Sequence, residues 1–388
     1  MTDDKLLLMI PGPTNVPDRV LQAIAEPSVY HRGEQFSSML KESVEGLQKI
    51  IGTEEPVIVL TSSGTGAIEA AISNLVNPGE RVLAFHTGKF GERMGDIAAM
   101  YGAEVHWWES KPGQAPDPAE IADWLSDNPV TAATFTFNET STGVQQDLQA
   151  ISEVFTEAGV MSIVDAVSIL GGAPVRMDEV GLDAVAAGSQ KALMLPPGLA
   201  FVALSKPAQQ KAAQSTNPHY YFDLTAAIEK LADGQTPYTP AVNLVAGLRE
   251  AVRMMLQEGL EDVYLRHRCL GTACREGIAR MGLEPLVDNP GLASSVVTAV
   301  KMPDGLDSSE LVQRLRDNDR ILISGGQGAL KGKIFRIGHM GCCQIDDLCR
   351  TLSAVAARLA DMGYEADAED AANAASVAYE RCREENDG

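Results

Sequence analysis

The feature that most restricts this chain is a recurring alternation, across residues 57–204, of short apolar runs with stretches of helical period. Runs at 57–60, 81–85, 104–108, 131–136, 160–165, 182–187 and 201–204 have the length of buried strands, and stretches at 67–75, 90–101, 118–125 and 147–157 have the length and spacing of helices. A parallel strand can be reached only by a crossover that passes over a face of the sheet, so repeated units of this kind predict an α/β body: a mostly parallel sheet clothed by helices on both faces. Ligands of such sheets sit at the carboxyl ends of the strands. With 388 residues, 45% of them hydrophobic, the chain can bury a large core and divide into two or three domains.

The flanks read differently. Residues 6–17 join an apolar run to Pro11-Gly12-Pro13 and Pro17, which predicts an extended arm packed on another part of the molecule. Helices are expected after Pro17 and through 36–51. The helical pattern at 244–257 runs on towards 278, and the domain junction is placed in this long helical region. Segments 294–301, 311–316, 321–323, 333–337 and 348–357 suggest a smaller βαββα-like body, followed by an acidic, alanine-rich tail at 365–388 that is either a surface helix or frayed. The resulting division is an arm at 1–17, a large domain at 18–255 and a small C-terminal α+β domain at 256–388.

Charge and composition narrow the partners. The chain has 31 basic against 53 acidic residues, a formal charge of -22, which argues against a nucleic-acid groove or an anionic membrane surface. No stretch approaches the roughly 20 apolar residues of a membrane span, and the acidic start is too short for a secretory signal. The six cysteines lack Cys-x-x-Cys spacing, so free thiols in a reduced cytoplasm, with no metal, are expected.

Two side chains stand out chemically. The run ending at Asp165 delivers a carboxylate to a strand's carboxyl end, and the run at 182–187 leads to Lys191, flanked by Gly188 and by Met194-Leu195-Pro196-Pro197-Gly198. An amine in apolar surroundings is a candidate for a lowered pKa. Such a pair could hold an aromatic aldehyde, the carboxylate facing a ring nitrogen and the amine forming an imine. The turn Thr61-Ser62-Ser63-Gly64-Thr65-Gly66 between a strand and a helix offers amide groups to a phosphate. It has neither the Gly-x-x-x-x-Gly-Lys spacing nor the Gly-x-Gly-x-x-Gly fingerprint of nucleotide sites.

Taken together, these motifs resemble the class V aminotransferases of the fold-type I pyridoxal-phosphate enzymes, in the alanine/serine/aspartate–glyoxylate (or pyruvate) group. The resemblance rests on Pro11-Gly12-Pro13 with Asn15-Val16-Pro17, Ser63-Gly64-Thr65-Gly66, Gly88-Lys89-Phe90-Gly91-Glu92-Arg93 and Asn138-Glu139-Thr140-Ser141-Thr142-Gly143. It continues through Val164-Asp165-Ala166-Val167-Ser168, Gly188-Ser189-Gln190-Lys191, Thr236-Pro237-Tyr238-Thr239-Pro240 and Phe335-Arg336-Ile337-Gly338, so it spans nearly the whole chain.

The resemblance implies a large domain with a seven-stranded sheet, pyridoxal 5'-phosphate bound as an imine on Lys191, and Asp165 facing the pyridine nitrogen. It further implies that Phe90 stacks on one ring face, where many relatives carry tryptophan, and that Val167 packs on the other. Ser63, Gly64, Thr65 and Gln190 would hold the phosphate, with Thr140 near the phenolic oxygen. Thr239 and Thr236 match a loop that reaches the phosphate from the partner of a homodimer with shared sites. Arg336 would pair with the substrate α-carboxylate, and His31 and Arg32 either with its distal group or with a helix cap or interface. The implied activity is ping-pong transamination from a small amino acid to glyoxylate or pyruvate. A phosphonate transaminase is the neighbouring reading, together with a lyase or desulfurase of the same fold, the last needing a mobile cysteine such as Cys342 or Cys343.

Overall fold

The computed structural model describes residues 6–386. Its large body is built on a seven-stranded sheet in the spatial order Glu104–Glu109, Arg81–His86, Ala132–Thr136, Met161–Asp165, Ala184–Gly188, Ala200–Leu204, Val57–Leu60. Every adjacent pair is parallel except those formed by Ala200–Leu204, which runs antiparallel to both neighbours. Successive strand residues point to opposite faces, and both faces are covered: Val164, Phe201 and Ala203 join one apolar cluster with Phe36, Phe85 and Leu248, whereas Ile163 and Val202 join another with Ile68, Ile72 and Met94. That two-sided burial is why the strands read as continuous apolar runs. Register places Thr136 beside Asp165, so those two strands end level, and Asp165 beside Ala186, two residues before the end of Ala184–Gly188.

The smaller body holds a three-stranded antiparallel sheet with Ile334–Gly338 between Val297–Lys301 and Ser324–Gly325. The arm belongs to this body: Leu7–Leu8 pairs in parallel with Ile321–Leu322, and Gly338 N donates to Met9 O at 2.8 Å. Gly338 is fixed by that approach, since a Cβ there would lie 2.3 Å from Ile10 O. The long helical stretch is two helices, Val242–Glu258 and Leu260–Arg280, broken at Gly259, whose φ of 95° no helix accommodates.

The tail is a helix, Ala368–Glu384, started by Asp367, whose side chain accepts from the amides of Glu369 and Asp370. Ala371, Ala375 and Ala378 are buried at helical spacing. They pack on Leu260–Arg280 closely enough that a Cβ at Gly277 would meet Ala371 O at 3.0 Å. The two helices are joined covalently by Cys269 and Cys382, which corrects the expectation of free thiols throughout. Partners separated by 113 positions carry no local spacing signal, so composition could not reveal them. Cys274, Cys342, Cys343 and Cys349 remain unbridged. Among the described residues no helix is long and apolar enough to cross a membrane.

Thiol titration of the denatured, unreduced protein is expected to find four reactive groups, rising to the full six of the sequence after reduction. Six before reduction would contradict the bridge. Closing so long a loop is worth about 4 to 5 kcal/mol on the chain-entropy model, so Cys382→Ser is expected to lower Tm under oxidising conditions.

Candidate active site

The loop after Ala184–Gly188 is held from both sides. Ser189 donates its backbone amide to Leu199 O at 3.0 Å and its hydroxyl to Pro196 O at 2.7 Å, while Leu199 N donates back to Ser189 Oγ at 3.2 Å. From the other side the arm reaches in: Thr14 donates its amide to Gln190 O and its hydroxyl to Lys191 O, at 3.3 and 3.1 Å. Lys191 Nζ donates to Pro11 O. At Gly12, where φ is 102°, an added Cβ would stand 2.4 Å from Lys191 Cδ. The arm foreseen from its prolines is therefore a wall of the lysine's chamber. Burial pushes the Lys191 amine down to about 8, and Arg336 and Arg93 press the same way against the opposing pull of Asp165.

That chamber is a cavity of about 100 Å³ lined by Ser63, Gly64, Thr65, Phe90, Thr140, Asp165, Val167, Gln190 and Lys191, with Ile68, Arg93 and Ser168 beside them. The site residues expected from the central part of the chain thus converge. Asp165 is buried and its Oδ1 accepts from Val167 N at 2.8 Å. Burial lifts its carboxyl to about 7; the Val167 amide and the charges of Lys191 and Arg93 lower it, and the nearby Glu139 raises it. The helix Gly64–Leu75 points its first turn into the cavity with no acidic side chain in that turn, and Ser63 Oγ accepts from Gly66 N at 3.4 Å. Glycine is required at position 64 because a Cβ would meet Val167 Cγ2 at 2.6 Å.

Two participants were not singled out from sequence. Arg93 donates to Thr65 Oγ1 at 3.1 Å and lies 5.0 Å from the Phe90 ring centroid. The spacing of three on one helix was the available signal, since a helix that turns Phe90 to the cavity brings residue 93 with it. Glu139 is fully buried, and its carboxylate accepts from Phe90 N at 3.1 Å, Gly91 N at 2.9 Å and Ser141 N at 3.1 Å. Burial raises its pKa against these donors. It sits at the amino end of the helix Lys89–Met100, where a negative group is favoured, and thereby sets the position of Phe90.

The cavity suits pyridoxal phosphate on its own chemistry. Gln190 Oε1 is a buried atom with no hydrogen-bond partner among the described residues, and an amide flip turns it into a pair of donors. It lines the cavity with the first turn of Gly64–Leu75, where an anion is stabilised. At the other end Asp165, raised by desolvation, gains most from a cation held against it. Arg336 is buried and, among the described residues, is hydrogen-bonded only to carbonyls, Gly325 O at 3.0 and 2.8 Å and Thr140 O at 3.0 Å, with the charge of Glu139 acting on it without contact.

Other expected residues lie apart from the cavity within one chain. Arg32 Nη1 donates to Thr236 O at 2.7 Å and Nη2 to Pro237 O at 3.2 Å, which gives it the work of holding the loop at 236–240. His31 meets the Tyr30 ring edge-on at 5.3 Å. Thr236 Oγ1 donates to Tyr238 O, and Thr239 lies on the surface beside Tyr221 and Pro240. His339 is buried against Thr298 Oγ1 at 2.9 Å, in the interior of the smaller body. Cys343 is buried with its thiol pushed well up by desolvation, and neither it nor Cys342 lines the cavity. Among the described residues no cluster of three or more His, Cys, Asp or Glu side chains could hold a metal ion.

Comparison with known proteins matches residues 6–349 to the family described as aminotransferase class-V. The chain is 39% identical to a soluble hydrogenase 42 kDa subunit of Anabaena cylindrica, over 94% of this chain and 95% of that one. It is 36% identical to a serine–glyoxylate aminotransferase of Methylorubrum extorquens, over 86% of each. Among solved structures, ureidoglycine–glyoxylate aminotransferase from Bacillus subtilis superposes with a TM-score of 0.91 at 31% identity, covering 98% of this chain and 99% of that one.

The two shifted groups have separable effects on the cofactor-free protein. A folded-state carboxyl at about 7 binds a proton that the unfolded chain, at 3.8, has released, so Asp165 makes stability fall as pH rises through that interval. Lys191 is protonated in both states there and adds no slope below its folded value of about 8. Asp165→Asn is therefore expected to flatten the decline of Tm between pH 4 and 7 relative to the parent. Parallel pH profiles for the two proteins would contradict the assignment.

Proposed function

Because the chain belongs to the aminotransferase class-V family, we propose that it moves the amino group of a small L-amino acid (alanine, serine or aspartate) to glyoxylate or pyruvate, with pyridoxal 5'-phosphate held at Lys191. The observation that carries this reading is the convergence of a largely desolvated amine, a strand-end carboxylate and a helix start on one cavity, with a guanidinium nearby that is hydrogen-bonded to carbonyls.

Pyridoxal phosphate supplies an aldehyde carbon that accepts the amino group and a ring that stores the electrons left when the α-carbon loses its proton. The chain's residues do the rest. Asp165 keeps a proton on the ring nitrogen, which a neutral side chain could not enforce. Lys191 Nζ would hold the cofactor and, once free, serve as the base that takes the proton from the substrate's α-carbon; a pKa near 8 leaves it competent as a base at neutral pH. Phe90 and Val167, both on the cavity wall, would hold the ring. Arg336 would exchange neutral carbonyl partners for the substrate carboxylate, to which its planar fork donates two parallel bonds. The same groups serve the second half of the reaction, in which the 2-oxo acid takes the nitrogen.

The loop at 236–240 supports a two-fold dimer as the working form. It is stiffened by Arg32 and by Tyr238, whose ring stacks on Tyr220 and Tyr221 at interplanar angles of 28° and 15°. Tyr220, 80% exposed, and Thr239 stand away from their own chain's cavity. Contributed to a second copy, Thr239 and Thr236 would complete that copy's phosphate end.

Single-turnover spectra test the reading. Alanine, serine or aspartate is expected to bleach the aldehyde absorbance of the purified protein and release the matching 2-oxo acid, and glyoxylate or pyruvate to restore it. No bleaching with any of the three, or bleaching by aminoethylphosphonate alone, would overturn it. Loss of a charged hydrogen-bonded pair costs about 1.5 to 3 kcal/mol, so Arg336→Gln is expected to raise the KM of the amino acid roughly tenfold or more.

A further inference from the structure

A second cavity, of about 500 Å³, opens where the two bodies meet. One wall is a single face of Leu260–Arg280: Glu261, Leu265, Arg268, Thr272 and Arg275 recur at spacings of three and four. The large body adds Arg176, next to Val175 of its core, and the smaller body adds Ser295 at the entry to Val297–Lys301.

The charge of this lining runs against that of the chain. Three guanidinium groups face one carboxylate, Glu261, in a protein with 31 basic and 53 acidic residues. Their donors are sparsely used. Arg275 gives Nη1 to Ser294 O and Nη2 to Thr272 Oγ1, both at 3.2 Å, and has no ion pair among the described residues. Arg268 gives Nη2 to Asn386 Oδ1 at 2.8 Å. Arg176 is ion-paired with Glu179 and Glu261, at 3.7 and 3.8 Å, so the surplus positive charge rests with Arg268 and Arg275. Each guanidinium carries five N–H donors, so most of those of Arg268 and Arg275 meet no acceptor among the described residues. The field of Arg275 is also felt deeper in: after burial, it is the largest influence lowering the pKa of His339. Arg176 holds its place in a left-handed conformation, φ 49°, with Gly52 packed so tightly that a Cβ there would lie 2.7 Å from Arg176 Cα.

We infer that this cavity is a binding site for a compact oxyanion carrying two or more negative charges, a phosphate or a polycarboxylate, held by Arg268 and Arg275, about two turns apart on one helix face, and separate from the Lys191 site. The planar forks match either kind of oxygen pair. The ligand lies between the two bodies, since the cavity wall comes from 172–174, from the junction helix and from Ser295. It also touches the hairpin of the first site. Gln145, on the cavity wall, accepts from Ser295 N and Oγ at 3.0 Å, and it pairs with Asn138 in the two-stranded turn that carries Glu139 and Thr140.

Calorimetry on the holoprotein, with inorganic phosphate in one arm and citrate in the other, tests this directly and reads binding rather than turnover. At least one probe is expected to bind with a Kd of about 1 mM or tighter. Affinity is expected to fall roughly tenfold or more in Arg268→Gln and in Arg275→Gln, the loss of one charged hydrogen-bonded partner. Arg268 is exposed, so its variant keeps the test decisive if the Arg275 variant fails to fold. Bound anion should slow amide hydrogen exchange around Gln145 and Ser295. The arm that binds decides between phosphate and carboxylate. Absence of binding by both probes would overturn the inference, as would binding that Arg268→Gln leaves unchanged and Arg336→Gln abolishes, which would place the anion in the first site. Either result leaves the spectral test of transamination untouched.

Discussion

Everything in the large body turns on keeping one amine out of water beside one carboxylate. Lys191 lies under the backbone of the arm, between the influences of Arg93 and Arg336, while Asp165 is sealed at a strand end with a single amide donor. Either group alone would be costly to bury charged, and both are displaced towards neutrality. The sheet bears that cost because its strands are covered on both faces and its loops are fastened at Ser189 and Thr14. Such a pair is poised for a ligand that brings its own cation to the acid and its own carbonyl carbon to the amine.

The arm explains how the two bodies share this chamber. It leaves the small sheet at Met9, and within a few residues Pro11 and Gly12 close over Lys191. Arg336 comes from the central strand of the same small sheet and reaches Thr140 of the large body. Any shift of the small body therefore moves both the lid of the lysine and the guanidinium beside it. The second cavity lies along the same seam and shares the hairpin through Gln145.

The sheet was legible because strands buried on both faces leave uninterrupted apolar runs, and the carboxylate at 165 and the lysine at 191 follow from where those runs end. The phosphate turn was legible from its small residues, and Gly64 proves to be required by the approach of Val167. What the sequence concealed was long-range. Pairing of Leu7–Leu8 with Ile321–Leu322 and the Cys269–Cys382 bridge join segments whose local patterns do not refer to each other. Glu139 stood inside a quoted motif, but its role depends on the helix start at Lys89 packing over it. Arg32 is compatible in sequence with a substrate contact or with an interface, and within one chain its guanidinium holds the carbonyls of a neighbouring loop. A charge written in sequence does not show which acceptor it will meet.

The central claim is a covalent one, and it is measured most directly by borohydride reduction of the purified protein followed by peptide mass spectrometry. The account predicts the mass of reduced pyridoxal phosphate on the peptide containing Lys191 and nowhere else, with the protein's visible absorbance lost in the same step. An unmodified Lys191 at saturating cofactor, or the mass on a different lysine, would contradict it.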